Sequence, residues 1–292
     1  MASSQKNSKK RKVTVGLIQM SMVADKKKNR EKAVAMIKDA ARKGAQIVCL
    51  PELFNTLYFP QDEHQEKKAH NLAEPIPGET TTIMTHIAKE LGIILIVPLY
   101  EKGNDGKYYN TAVVIDENGR IIDTYRKMHI PHDPLFWEKN YFERGNFGFK
   151  VVKTSYAVVA PMICFDQWFP EAARINVLQG AEILFYPTAI GYIRGYKAKE
   201  DWHEAWETIQ RSHAIANGTP VVSVNRVGIE RKMQFWGQSF IGDAFGKVLK
   251  RASKQKEEVI VQEIDLSYNH VIQGGWGFLR NRRQDSYGVL VK

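Results

Sequence analysis

From Val13 onward the chain alternates short apolar, β-branched runs with stretches of helical spacing, and few folds accept that rhythm. Val13 to Met20 is predicted as a strand. Asn29 to Arg42 then sets Ala33, Ile37, Ala40 and Ala41 on one helical face, with Gly44 placed to end the helix. Gln46 to Leu50 returns to strand and stops at Pro51-Glu52. The pattern repeats. Thr80 or Thr81 is expected to cap a helix carrying Ile83, Ile87 and Leu91 inward and closed by Gly92. Ile93 to Tyr100 reads as a strand buried on both faces.

The middle of the chain changes character. Tyr108 to Ile115 and Arg120 to Tyr125 are predicted strands, joined by the turn signal Asp116-Glu117-Asn118-Gly119. Helices are expected over Pro170 to Gln179 and Asp201 to Asn217, and strands over Glu182 to Tyr186, Pro220 to Asn225 and Glu258 to Asp265. Phe235 to Asp243 with Lys247 to Lys250 reads as a hairpin, and the chain past Ser267 as irregular and aromatic. No Pro/Ser/Gly-rich linker divides this stretch. One α/β domain is expected over 13–292, with helices outside mixed sheets.

Composition narrows the function classes. A 43% hydrophobic and 25% charged chain with no long apolar run reads as a globular protein rather than a membrane protein. No apolar segment with a small-residue cleavage site follows the N-terminal basic residues, which argues against a secretory signal. The only cysteines, Cys49 and Cys164, form no disulfide framework, so a reducing cytoplasm is the expected setting. Of the formal charge of +10, half comes from Lys6, Lys9, Lys10, Arg11 and Lys12. Residues 1–12 are therefore expected to be a disordered basic tail. The remaining excess is dispersed among acids without aromatic interleaving, so no nucleic-acid partner is expected.

Three predicted strands end in reactive residues. Glu52 follows Leu50-Pro51. Lys127 follows Arg126 and leads into Met128-His129-Ile130-Pro131. Cys164 sits between the apolar run from Tyr156 and the helix from Pro170, where a helix N-terminus favours a thiolate. An acid, an amine and a thiol suffice for amide cleavage: the carboxylate takes the thiol proton, the sulfur attacks the carbonyl, and the ammonium holds the oxyanion. Each residue alone has a plainer explanation: an acid at a helix start, a surface lysine, a core thiol. His129 and His132 lack companions at zinc-ligand spacing, so no metal is expected.

Leu50-Pro51-Glu52-Leu53, Lys127-Met128-His129-Ile130-Pro131 and Ile163-Cys164-Phe165-Asp166 resemble, in order, the landmarks of the nitrilase superfamily of carbon–nitrogen hydrolases. The resemblance implies a four-layer αββα sandwich with two central mixed sheets. It also implies catalysis without a cofactor, and association into a homodimer or larger assembly, for which residues 268–292 are an expected docking tail. It makes Glu52 the general base, Lys127 the stabiliser of the tetrahedral intermediate and Cys164 the nucleophile. Glu138 in Phe136-Trp137-Glu138-Lys139 matches the second glutamate, which orients substrate and lysine. The backbone N–H of Phe165 would share the oxyanion.

Asp166 to Arg174, Val177 to Gly191, Gly237-Gln238-Ser239-Phe240-Ile241 and Arg282-Arg283 are similar to the N-carbamoylputrescine amidase branch. Asp166, where true nitrilases carry glutamate, points to an amide or ureide. The implied reaction is conversion of N-carbamoylputrescine to putrescine, CO2 and ammonia. Trp168, Tyr192 and Trp202 are candidate walls for the substrate, with Glu200, Asp201 or Glu204 as its charged partner. Two departures qualify the match. Ala160-Pro161 stands where the family has a glycine and a small aliphatic residue, and predicts a bulged or unpaired strand before Cys164. The loop after Gly191 carries Arg194 and Lys197 where the branch has an acid. Arg194 suits a carboxylate, which keeps N-carbamoyl-β-alanine or an N-carbamoyl amino acid open as substrate. A catalytically silent scaffold on the same fold is the alternative of another class.

Overall fold

The strand Lys12–Gln19 (β1) buries both of its faces, and the two faces meet different partners. Val13, Val15 and Leu17 point into a core shared with Leu184, Val222 and Phe240, while Ile18 and Met20 meet Ala33, Ile37, Met84 and Ala88. Period-two alternation thus turns one strand into the boundary between a sheet-on-sheet core and a helix-on-sheet core.

The computed structural model describes residues 11–291. After β1 come β2 (Ile47–Cys49), β3 (Ile94–Lys102), β4 (Tyr108–Ile115), β5 (Ile121–Arg126), β6 (Val152–Lys153), β7 (Val158–Pro161) and β8 (Ile183–Thr188). They are followed by β9 (Gly191–Ile193), β10 (Val221–Asn225), β11 (Val227–Glu230), β12 (Met233–Trp236), β13 (Phe240–Gly242), β14 (Val248–Arg251) and β15 (Glu258–Asp265). The helices are α1 (Lys26–Arg42), α2 (Glu66–Ala69), α3 (Glu79–Leu91), α4 (Pro170–Leu178), α5 (Trp202–Asn217) and α6 (Ser267–Trp276). One six-stranded sheet runs β15-β1-β2-β3-β4-β5, the other β14-β13-β10-β8-β7-β6, and β11-β12-β9 form a small third sheet. With α1 and α3 outside the first sheet and α4 and α5 outside the second, the layers are α, β, β, α. The implied four-layer sandwich is the fold found.

The two large sheets repeat one another. Read from β15 to β5 the neighbours pair antiparallel, parallel, parallel, antiparallel, antiparallel. Read from β6 to β14 the second sheet follows the same order. No repeat was visible in the residues themselves, because what recurs is the pairing, not the side chains.

Local chemistry sets most boundaries. Asp25 caps α1 by accepting from the N–H groups of Lys27 and Lys28, and Gly44 beyond its end takes φ +88°. Helix α3 starts after Gly78, not at a threonine cap: the Thr81 hydroxyl instead accepts the Gly78 N–H at 2.7 Å. Asp116 Oδ1 accepts from Asn118 and Arg120 across the predicted β4–β5 turn.

Several expectations need correction. The segment past Ser267 opens as helix α6, and Phe235 and Trp236 leave the predicted hairpin for β12, which joins β9 and β11, while Phe240–Gly242 keeps the pairing with Val248–Arg251. The strand before Cys164 stays in register, with Ala160 opposite Leu184 and Pro161 opposite Phe185. On its other side β7 is paired only at Val158 and Val159, so Pro161 lies past the end of β6. The first strand begins at Lys12, and Arg11 is ion-paired to Glu182. Residues 1–10 of the expected tail lie outside the described residues.

Candidate active site

The four residues singled out from the motifs converge, three of them from strand ends. Glu52 follows β2 and Lys127 follows β5 in the first sheet, while Cys164 follows β7 in the second. Glu138 opens a short 3-10 turn in the loop after Lys127. Glu52, Lys127 and Glu138 are fully buried, and Cys164 is nearly so.

Lys127 Nζ lies 2.8 Å from Glu52 Oε1 and 2.6 Å from Glu138 Oε2. Each carboxylate has a further neutral donor: Asn110 Nδ2 gives to Glu52 Oε1 at 2.7 Å, and the Tyr58 hydroxyl gives to Glu138 Oε1 at 2.7 Å. Glu52 Oε2 is buried and has no hydrogen-bond partner among the described residues. A buried carboxylate oxygen left unpaired is costly in a folding sense and is the natural place for an arriving proton.

Charge decides the resting protonation. Burial alone would lower the Lys127 ammonium, but Glu138, Glu52 and the nearby Cys164 push it up, so it stays charged. Burial raises Glu138, with Lys127 opposing and Glu52 adding, to about 7. Burial and then Glu52 push the Cys164 thiol well above its usual range, and Lys127 offsets only part of this. This direction is opposite to the one expected from a helix N-terminus at the thiol. A thiolate beside two carboxylates and one ammonium would carry the cluster further from neutrality in a dry site. The expected helix dipole is also not at the sulfur, since Cys164 opens a 3-10 turn to Trp168 and α4 starts at Pro170.

Cys164 takes φ +43°, a left-handed conformation that costs a side-chain-bearing residue roughly 1–3 kcal/mol. Asp166 braces the turn. Its Oδ2 accepts the Ile163 N–H at 3.0 Å and the Tyr125 hydroxyl at 2.7 Å, and its Oδ1 accepts the His129 N–H at 3.0 Å. Both oxygens are committed to scaffold, so Asp166 acts on the turn and not on a ligand.

A cavity of about 880 Å³ opens over Cys164 and Glu138. Of the candidate substrate-binding residues, Phe165, Trp168, Arg194 and Trp202 line it. Tyr192 does not. It alternates with the cavity-facing Ile193 along β9, so its ring goes to the opposite face and packs 5.0 Å from Trp236. Glu200 and Asp201 share Tyr192's depression, which adjoins the cavity across Ile193, Tyr196 and Trp202; Asp201 caps α5, and Glu204 bonds Thr208. The charged rim is instead Asp133 against Arg194 and Lys232.

Sequence reading missed Tyr58, Asn110, Asp133, Arg226 and Glu230. Asp133 had a signal, an acid two residues past Pro131 in the Lys127–Glu138 loop. Arg226 and Glu230 gave a weaker one, a charge at the end of a buried strand with an opposite charge four residues on.

Comparison with known proteins gives the family. Residues 14–270 match the carbon-nitrogen hydrolase family. The chain is 40% identical to an N-carbamoylputrescine amidase of Solanum lycopersicum over 97% of its length and 96% of the relative's. It is 35% identical to a citrullinase of Francisella tularensis over 96% and 98% of the two chains. A crystal structure of a carbon-nitrogen hydrolase from Helicobacter pylori superposes with a TM-score of 0.92 at 41% identity, covering 96% of this chain and 99% of that one. A sandwich whose strand ends bring together an acid, an ammonium and a thiol, matched over nearly its whole length, makes this chain a member of the carbon–nitrogen hydrolase family and a hydrolase.

Proposed function

We propose that the protein hydrolyses the linear C–N bond of an N-carbamoyl amine through a covalent thiol intermediate, with N-carbamoylputrescine as the first candidate substrate. The observation that carries this reading is the unpaired, buried Glu52 Oε2 in the cluster beside Cys164, while Glu52 Oε1 is held by Lys127 and Asn110. Glu52 would take the thiol proton as sulfur bonds to the ureido carbon, so charge is moved within the cluster rather than created there. The carbonyl oxygen becomes an oxyanion beside the Lys127 ammonium and the Phe165 amide. One C–N bond then breaks, and Glu52 protonates the departing nitrogen. Water gives its proton to Glu52 and attacks the S-bound carbonyl, which frees the thiol. The carbamic acid released loses CO2, so one water converts the ureide to amine, ammonia and CO2. Glu138, held by Tyr58, would keep Lys127 turned toward the oxyanion.

The rim supports a second reading of the tail. Asp133 suits the free ammonium of a diamine, while Arg194 and Lys232 suit a carboxylate. All three together suit a ureide that carries both an ammonium and a carboxylate, as citrulline does, and a citrullinase is among the relatives. Ammonia release from N-carbamoylputrescine, citrulline and N-carbamoyl-β-alanine separates the readings. The fastest turnover is expected on N-carbamoylputrescine, with Asp133→Asn raising its KM several-fold. Preference for citrulline, with KM raised by Arg194→Ala, would move the assignment to the amino acid.

No helix among the described residues is long and apolar enough to cross a membrane. A cytoplasmic setting is in keeping with Cys49 and Cys164 both being free thiols. Assembly into a homo-oligomer is supported by exposed apolar residues on α4, α6 and the C-terminal segment.

A further inference from the structure

We propose that Arg226 is a positioning residue, a strut through which the second sheet holds the Glu52 carboxylate in place against the Cys164 thiol. The proposal rests on Glu52 being the base. Arg226 lies between β10 and β11, so it leaves the same sheet that delivers Cys164 from β7. Its side chain is fully buried and crosses to the segment after β2 in the other sheet. There Nη2 donates to the carbonyl oxygens of Glu52 at 2.8 Å, Leu53 at 3.0 Å and Thr56 at 3.4 Å. Nη1 donates to Glu230 Oε1 at 2.6 Å, and Glu230 Oε2 accepts the Tyr58 N–H at 2.6 Å.

One guanidinium therefore fixes both ends of the turn that carries the base. At its start it holds the carbonyl of Glu52 itself. At its end it holds, through Glu230, the main chain of Tyr58, whose hydroxyl bonds Glu138. The turn needs holding, because Leu53 adopts φ +50°, a left-handed conformation without glycine. The strands supply no ladder here, since β2 ends at Cys49. Glu52 and the thiol belong to different sheets, so their separation is set by how the sheets dock, unless a group spans both. Arg226 spans both. The Tyr58 and Phe235 rings flank the guanidinium at 5.9 and 5.1 Å and keep water from its planar face.

A merely structural arginine and a positioning one differ in what their loss does to turnover. The test uses the full chain and ammonia release from whichever of N-carbamoylputrescine and citrulline turns over faster. Arg226→Lys keeps the charge opposite Glu230 but cannot reach three carbonyls and a carboxylate together. It is expected to lower kcat roughly 10- to 100-fold, the scale of an ångström-size misplacement, with KM within about twofold. In a Glu52→Gln background the same substitution should cost less than about twofold more, because the group it positions no longer acts. Glu230→Gln should follow the same non-additive pattern, and it carries the test alone if Arg226→Lys does not fold. A lowered melting temperature with kcat unchanged, a change confined to KM, or equal losses in both backgrounds overturns the strut. Full activity of Glu52→Gln alone instead removes the base assignment beneath it, so the two failures are distinguishable.

Discussion

Cys164 carries two demands that pull against each other: a nucleophile must ionise, yet burial and Glu52 hold this thiol neutral. The conflict resolves if the proton leaves only as the substrate carbon arrives, so the acid that represses the thiolate is also the one that makes it. Cys164→Ala is expected to fold and to release no ammonia; turnover at the wild-type rate would end the covalent mechanism. Glu52→Gln should fold and lose roughly 10²-fold or more in kcat, the usual scale of a lost general base. Its thiol should behave in the opposite way. Glu52 is the second cause raising Cys164, so removing its charge must lower the thiol pKa. The pH midpoint of iodoacetamide labelling should therefore lie lower in Glu52→Gln than in wild type. A midpoint that stays or rises would mean that Glu52 does not face the sulfur. Simple labelling of the wild type is consequently a poor separator of enzyme from silent scaffold, since a repressed thiol labels slowly in either.

At the scale of elements, the residues announced what each segment is more clearly than what it pairs with. Strand and helix identity followed from period and caps, as at β1, α1 and the Asp116–Gly119 turn. Phe235 and Trp236 were misread because the partners of their strand, Gly191–Ile193 and Val227–Glu230, include one about 40 residues upstream, and nothing local encodes that. Ser267–Trp276 was misread because Asn269, Gly274 and Gly275 are weak helix formers that hide its character. Glu52, Lys127 and Cys164 were legible because each follows a strand beside a short motif; Arg226 was not, because its meaning lies in carbonyls about 170 positions away. Gly145 is another such case. Its N–H donates to the Lys127 carbonyl at 2.8 Å, and a Cβ there would stand 2.1 Å from the Arg126 carbonyl oxygen and 3.0 Å from that of Lys127. Gly145→Ala must push the segment carrying Lys127 or move away from it. A loss of about 1–3 kcal/mol in stability is expected, with kcat lower by roughly tenfold or more. Denaturant melts and steady-state rates check both; wild-type values for each would show that the loop yields without moving the lysine.

For the whole molecule, the repeated pairing of the two sheets places Glu52 and Cys164 at strand ends on opposite sides of one seam. The active site is therefore a product of docking between halves, and whatever steadies the halves steadies the chemistry. Outside that seam, apolar surface is left uncovered in a single chain. Leu178 on α4 is 45% exposed, Val271 on α6 57%, and Leu290 near the C-terminus 62%. The C-terminal segment also walls a cleft of about 820 Å³ against α4 and α5, with Arg174, Ile215, Trp276 and Leu290 among its lining. Scattered apolar residues are ordinary on a surface, but several on neighbouring helices and a terminal segment are the pattern of a covered face. The protein is expected to show a light-scattering mass of two chains or more. Leu178→Lys and Leu290→Asp should lower that mass at micromolar concentration, because each would place a charge in a desolvated contact. If the wild type runs at the mass of one chain, the assembly does not form. If it is larger but indifferent to both substitutions, the contact lies on another face.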